Sequence, residues 1–441
     1  MITQAVPQLE AQAHLTLSLL QALLKDYHPR DFAVRLWDNT TWEAEAGQLT
    51  RCTMILRHPA AVNALFGAGG ELSVGESYLA NEWDVEGAGE ALVPLAEYLF
   101  HHLQAQQGHP ATVELSGTGR PDGHPAVKDK AAHLHGAQHS RERDRQAISY
   151  HYDVSNDFYA LWLDRRMVYT CAYFGTPEDD LDTAQVRKLD YVCRKLRLRP
   201  GQRLLDIGCG WGGLVMHAAQ QYGVEAFGVT LSQEQAAWAN ERIQTAGLSQ
   251  RCRVRGCDYR DVDETESYDA LTGIGIVEHI GEAQLSNFFE RACRLLRPRG
   301  VFLNHGIGCS PAHSQQTGPS FVAQYLFPDA EIVPLSTLLR AAELAGFEVR
   351  DVENLREHYA LTARHWLRAI EAHHDEICRL TDEVTYRVWR ISAIGSIYRF
   401  LTGEQNLYQV LLVKPERGRA GLPLTREDWY SRSATQTTHG S

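Results

Sequence analysis

The hydrophobic positions along this 441-residue chain change their period several times. Residues 6–25 place Leu9, Leu15, Leu19, Leu20, Leu23 and Leu24 with helical character, which predicts a helix packed on a core. A membrane-surface helix needs a basic polar face, and only Lys25 and His14 are on offer there. From Phe32 to Leu65 the pattern shortens to strands: Phe32, Val34 and Leu36 alternate, Trp37-Asp38-Asn39-Thr40 turns, and Cys52–Leu56 follows. Gly75–Ala80 and Glu86-Gly87 continue the same unit, so residues 1–104 read as a small α+β domain. Residues 105–145 have little periodicity and are rich in Gly, Pro, His and charge, which predicts a linker or a mobile loop. From Arg203 onward strands and helices alternate, with candidate strands at 203–207, 224–229, 252–256, 268–274 and 300–307. That order predicts a doubly wound, Rossmann-like α/β sheet. An insertion from about Gly318 to Pro334, a helical stretch 360–399 and the strand Asn406–Lys414 complete a domain spanning 146–415. A tail of 416–441 ends in the polar run Ser431–Ser441, which is expected to be disordered.

The most informative run is Leu204-Leu205-Asp206-Ile207-Gly208-Cys209-Gly210-Trp211-Gly212-Gly213. A β-prone segment ends in an acid, breaks into glycines and leads straight into the helix-like stretch Leu214–Tyr222. Strand, glycine turn and helix bring a nucleotide-like ligand against bare backbone and a helix N-terminus. A dinucleotide also needs an acid at the tip of the next strand to bind its ribose. Here Val224–Val229 ends in Thr230-Leu231-Ser232-Gln233-Glu234-Gln235, without that acid. Asp206 before the glycines repels pyrophosphate and suits a cationic ligand. Both details favour S-adenosylmethionine over a nicotinamide cofactor. A tight strand–helix turn with no ligand is the alternative.

Composition narrows the classes further. Net charge is −12, which argues against a nucleic-acid-binding protein and makes any contact with an anionic membrane local. The local basic excess of Lys128, Lys130, Arg141, Arg143 and Arg145 reads first as solvated linker charge, with anionic headgroups as the alternative. Nine cysteines without a Cys-x-x-Cys pair suggest reduced thiols in a cytoplasmic protein, with no zinc site indicated. No stretch approaches the ~20 apolar residues needed to span a bilayer.

Other pieces fall in a telling order: Tyr150-His151-Tyr152-Asp153-Val154-Ser155-Asn156-Asp157-Phe158-Tyr159, then Tyr169-Thr170-Cys171-Ala172-Tyr173-Phe174. After the glycine turn and Gly228–Gln235 come Asp258-Tyr259-Arg260-Asp261, Val277-Glu278-His279-Ile280-Gly281, Asn304-His305-Gly306-Ile307-Gly308 and Glu357-His358-Tyr359-Ala360. With these pieces, residues 146–414 resemble the cyclopropane-fatty-acid synthase family, including the mycolic acid cyclopropane synthases.

The resemblance implies methyl transfer from S-adenosylmethionine to a cis double bond in an unsaturated acyl chain of a membrane phospholipid. Methylation of the alkene leaves a carbocation, and a base must then remove a proton to close the ring. The family is understood to hold bicarbonate as that base. The implied pocket here is Cys171, Glu278, His305, the backbone at Ile307, and Tyr359. The implied cofactor residues are Tyr169, Thr170, Gly208, Gly210, Thr230 and Gln235, with Asp258 or Tyr259 near the adenine. Asp206 either fixes the turn or faces the ammonium through water. Taken singly, Cys171 also reads as a small buried hydrophobe and His305 as a satisfied core histidine. Glu278 follows a strand end, where α/β sheets place ligands. One departure stands out: a late family cysteine aligns with Ser396, so chemistry here does not require a thiol at that position. The N-terminal 105 residues resemble the small domain that precedes the catalytic domain in longer family members, implying lipid and dimer contacts. The expectations are therefore a peripheral-membrane enzyme at the inner face, forming a homodimer. A methylene- or methyl-branched product, or an inactive lipid-binding scaffold, is the alternative.

Overall fold

The computed structural model describes residues 2–67, 70–105, 127, 129–152, 154–263, 265–312, 314 and 320–430. The chain forms two compact units. One comprises Met1–His133, Thr317–Pro328 and Ala363–Thr402; the other Leu134–Gln316, Asp329–Thr362 and Gly403–Ser441. The expected tail Ser431–Ser441 and residues 106–126 of the expected linker lie outside the described residues.

In the first unit the helix Ile2–Leu23 buries Ala13, Thr16 and Leu20, with Leu24 just beyond it, at the spacing of one helical face. This is the core-packing arrangement. Strands β1 (Phe32–Arg35), β2 (Thr41–Trp42), β3 (Cys52–Leu56) and β4 (Trp83–Gly87) form a sheet ordered β2-β1-β3-β4. β1 and β3 run parallel, and the other pairs are antiparallel. Segments far away in sequence complete this unit. Ala363, Leu367, Ile394 and Ile397 pack with Val93 in one apolar cluster. Arg390 donates to Tyr78 Oη at 2.9 Å, to Glu371 Oε1 at 2.9 Å and to the Val85 carbonyl at 3.1 Å. The continuous helical stretch expected over 360–399 is three helices, Arg356–Ala372, His374–Leu380 and Glu383–Thr402.

The second unit is built on seven strands: β5 (Arg203–Ile207), β6 (Glu225–Thr230), β7 (Cys252–Gly256), β8 (Tyr268–Ile274), β9 (Leu296–Cys309), β10 (Glu348–Asn354) and β11 (Gln405–Val413). Their order is β10-β11-β9-β8-β5-β6-β7. β11 pairs antiparallel with both neighbours, and the remaining pairs are parallel. Both faces are covered, so neighbouring residues divide between two cores. Leu204, Ala226, Ala270 and Leu303 join one, while Leu205, Phe227, Leu271 and Phe302 join the other. The chain leaves β5 in one direction to β6 and β7, then returns to β8 on its other side. This reversal opens a crevice at the carboxyl ends of β5 and β8, the usual ligand position in such sheets. The helix Arg141–Tyr152 begins inside the segment expected to be a linker, so residues 141–145 are ordered helix instead. Its charged first turn is held from outside: Arg143 pairs with Asp329, and Arg141 reaches Asp261 at 2.5 Å.

Candidate active site

The glycine turn closes β5 as its residue types demand. Gly208, Gly210 and Gly212 have φ of +73°, +52° and +80°, a left-handed backbone that only glycine adopts readily. The N–H groups of Gly208 and Cys209 both donate to the Val229 carbonyl, at 2.9 and 3.0 Å, tying the turn to β6. A Cβ on Gly208 would lie 2.6 Å from Ile276 Cδ1, whereas one on Gly210 would meet no described atom within 4 Å. Gly208 therefore serves the packing, and Gly210 borders open space. Asp206 is buried, and Thr272 on β8 donates to its Oδ1 at 2.7 Å. Burial pushes its carboxyl up to about 7, while Thr272 and the Lys188 charge hold it back. The Thr272 bond ties the end of β5 to β8.

The second group of expected cofactor residues is largely engaged within the protein. Thr230 Oγ1 donates to Gln235 Oε1 at 2.7 Å, so these two bond one another where a ribose contact was expected. Ser232 caps the helix Gln233–Thr245 and receives the Gln235 N–H at 3.2 Å. Asp258 accepts from the Arg260 backbone N–H at 2.9 Å and from its guanidinium. Burial raises the Asp258 carboxyl, but those bonds and the Arg260 charge outweigh it and hold the group below its ordinary range. Arg260 also reaches Asp144 at 2.8 Å, on the same helix as His151 and Tyr152. Tyr259 stacks edge-on against Phe288 at 5.4 Å.

The acceptor side gathers around the end of β8 and the middle of β9. Glu278 sits on the 3₁₀ turn Val277–His279 just beyond β8 and is buried. Its Oε1 accepts the Ile307 N–H at 2.6 Å, while its Oε2 has no hydrogen-bond partner among the described residues. Burial pushes the carboxyl up to about 7, against the pull of the Ile307 N–H. The Ile307 N–H is thus occupied by Glu278 instead of standing ready for an anion. His305 on β9 is 1% exposed, and Gln409 Nε2 on β11 donates to its Nδ1 at 3.1 Å. The ring proton therefore sits on Nε2, which has no partner among the described residues. Burial holds the imidazole well below its ordinary pKa, so the ring is neutral. Cys171 and Tyr359 share an apolar cluster with Ile307, Leu355 and Leu407. Burial raises the Cys171 thiol far above its ordinary range, so it is no thiolate. Burial likewise raises the Tyr359 phenol, reinforced by neighbouring Cys171 and Glu278.

Two features escaped the sequence reading. Lys188 is buried and donates to Thr170 Oγ1 at 2.8 Å; burial pulls its ammonium down to about 8. It lies within electrostatic reach of Cys171 and Asp206 and so joins the two halves of the site. An aromatic wall also stands beside the glycine turn. Tyr169 is edge-on to Trp162 at 5.1 Å and stacked on His151 at 5.7 Å. Tyr159 lies 4.8 Å from Trp211 in the turn itself.

Comparison with known proteins places the chain in a family. Residues 139–410 match the family described as mycolic acid cyclopropane synthetase. A Pseudomonas putida protein described as "Probable fatty acid methyltransferase" is 43% identical over 296 residues, covering 66% of this chain and 75% of the relative. The tuberculostearic acid methyltransferase of Mycobacterium tuberculosis is 30% identical over 377 residues, covering 82% of this chain and 83% of the relative. A mycolic acid cyclopropane synthase solved with SAH and CTAB superposes with a TM-score of 0.58 at 32% identity. That superposition covers 61% of this chain and 98% of the other. The chain belongs to the mycolic acid cyclopropane synthetase family of S-adenosylmethionine-dependent methyltransferases.

Proposed function

We propose that this protein transfers a methyl(ene) group from S-adenosylmethionine to the cis double bond of an unsaturated phospholipid acyl chain and closes a cyclopropane ring. The observation that carries the reading is the pair of buried polar atoms left without partners, Glu278 Oε2 and His305 Nε2. One is an acceptor when ionised and the other a donor, which fits a small anion bearing a single O–H. Buried polar atoms are normally paired, and one small anion would complete both. S-adenosylmethionine supplies an electrophilic methyl group. Bicarbonate, the anion these groups suit, supplies a base that is not itself readily alkylated.

The residues of the chain account for the remainder. Gly210 lets the methionine portion lie against backbone, and Gly208, packed on Ile276, holds the turn in shape for it. The packed rings of Tyr169, Tyr159 and Trp162 give the site an electron-rich wall, worth about 0.5–2 kcal/mol where a desolvated cation lies over a ring face. Cys171 and Tyr359 stay protonated and close the pocket without offering an anion to the cation. Gln409 fixes the His305 tautomer so that Nε2–H is presented as a donor. Glu278, held by Ile307, accepts the O–H of the anion once ionised. A second outcome is favoured by the relatives named fatty acid and tuberculostearic acid methyltransferases: the same carbocation gives a methylene group or a methyl-branched alkene if a different proton leaves.

Mass spectrometry of lipids from a host lacking such an enzyme tests the reading. Ring formation adds one CH₂ per monounsaturated chain and leaves the product inert to ozone. A product that still reacts with ozone supports methylene formation. No lipid change, despite S-adenosylmethionine binding, overturns both.

A further inference from the structure

A second convergence of ligand-type atoms lies in the other compact unit, apart from the methyl-transfer residues. His374 and Cys378 stand at i and i+4 of the helix His374–Leu380, so both side chains share one face. The chain turns at Thr381-Asp382, and the next helix, Glu383–Thr402, opens with Glu383. His374 Nε2 lies 3.0 Å from Glu383 Oε2. Cys378 Sγ lies 3.3 Å from that oxygen and 3.5 Å from that nitrogen. A tetrahedral centre bonded at about 2.0–2.2 Å to N and O and about 2.3 Å to S has N···O edges of about 3.3 Å and edges to sulfur of about 3.6 Å. The three atoms already form such a face to within a few tenths of an ångström.

The surroundings orient these ligands. His374 Nδ1 is bonded to Asp375 Oδ1 at 2.8 Å, so Nε2 directs its lone pair at a carboxylate oxygen unless a cation lies between them. Without metal, a second ring proton and the Cys378 thiol proton would both point at Glu383 Oε2, the thiol at 3.3 Å; one cation among the three atoms replaces both protons. Glu383 Oε1 accepts from Arg387 Nε at 2.9 Å, which leaves Oε2 as a single-oxygen ligand. A carboxylate behind the imidazole and a donor behind the carboxylate are the outer contacts that fix metal ligands. His374 and Glu383 also line a cavity of about 270 Å³ together with Asp84, Glu371, Tyr386 and Arg390. Two of the three ligands thus border open space, which leaves a fourth position for water or a small ligand.

We propose that His374, Cys378 and Glu383 form a transition-metal site, with Zn²⁺ the best match to one nitrogen, one sulfur and one oxygen donor. On binding, Cys378 gives its thiol proton to solvent and the sulfur–metal bond forms. The ion joins two helices across the Thr381-Asp382 turn. The site escapes a search for paired cysteines because its pattern is His-x-x-x-Cys-x-x-x-x-Glu.

The test uses Co²⁺ as a probe on the full chain after chelator treatment. One equivalent is expected to produce a thiolate-to-cobalt charge-transfer band and the visible bands of tetrahedral cobalt, both abolished by added Zn²⁺. Cys378→Ser is expected to lose the charge-transfer band, while Cys293→Ser, in the other unit, keeps it. Asp375→Asn is expected to weaken Co²⁺ binding about 10- to 100-fold. Absence of the bands in the wild-type titration, which depends on no variant folding, overturns the proposal. A charge-transfer band that survives in Cys378→Ser overturns it as well.

Discussion

Replacing Glu278 by Gln is expected to make the folded protein more stable at alkaline pH while removing most turnover. Burial holds this carboxyl near 7 against an ordinary value of 4.5. Between those values the folded state binds the proton more tightly than the unfolded state. The group therefore favours folding most at low pH, and that contribution is lost as pH rises through about 7. At about 1.4 kcal/mol per pKa unit, the cost of keeping the carboxyl buried grows from about 1 kcal/mol at pH 5 to about 3 kcal/mol at pH 8. A carboxamide does not ionise, and its oxygen still accepts the Ile307 N–H. Urea unfolding of both proteins at pH 5, 6, 7 and 8 reads the difference directly. The variant gains about 2 kcal/mol on the wild type between pH 5 and pH 8 by this arithmetic. Binding of S-adenosylhomocysteine, measured by calorimetry, stays within about twofold because Glu278 is not assigned to the cofactor. A stability difference that does not change with pH would refute the buried, titrating carboxyl.

Four further outcomes are expected. Gly210→Ala folds with a cost of about 1–2 kcal/mol from its left-handed backbone, and loses cofactor affinity by calorimetry. Gly208→Ala meets Ile276 as well and lowers the thermal midpoint further than Gly210→Ala does. Iodoacetamide mapping of the native protein at pH 8 leaves Cys171 unmodified, because its thiol is buried and protonated, while the half-buried Cys257 reacts. Arg390→Met strands Glu371 and Tyr78 and costs about 3–5 kcal/mol, read as a shift in the urea midpoint.

The parts of this protein written in local chemistry were legible from the chain. The turn after Ile207 demands positive φ, and glycine is the residue that supplies it. β5 through β9 were visible as apolar runs, although β9 extends beyond the expected 300–307 at both ends. β10 was missed because Glu348, Arg350, Asp351 and Glu353 make it read as a polar loop, whereas it is an edge strand paired only with β11. Lys188 was missed for a related reason: on the polar-looking helix Leu181–Lys195 a lysine reads as solvated, and only its burial reveals it. The engagement of Ile307 with Glu278, and of Thr230 with Gln235, depends on side-chain orientation that spacing does not encode. The packing of 363–402 with the N-terminal unit joins residues hundreds of positions apart, beyond the reach of any local pattern.

The bond from Gln409 to His305 also orders events in time. β11 lies between β9 and β10, and it is the last strand of the sheet to leave a ribosome. Until it inserts, β10 has no partner strand, and the His305 ring lacks the neighbour that selects its tautomer. A nascent chain stalled before residue 405 would already hold the whole glycine turn, yet would lack the group that aims its imidazole proton. The donor side of the site is finished before β11 emerges, and the acceptor side is armed only once β11 has joined the sheet.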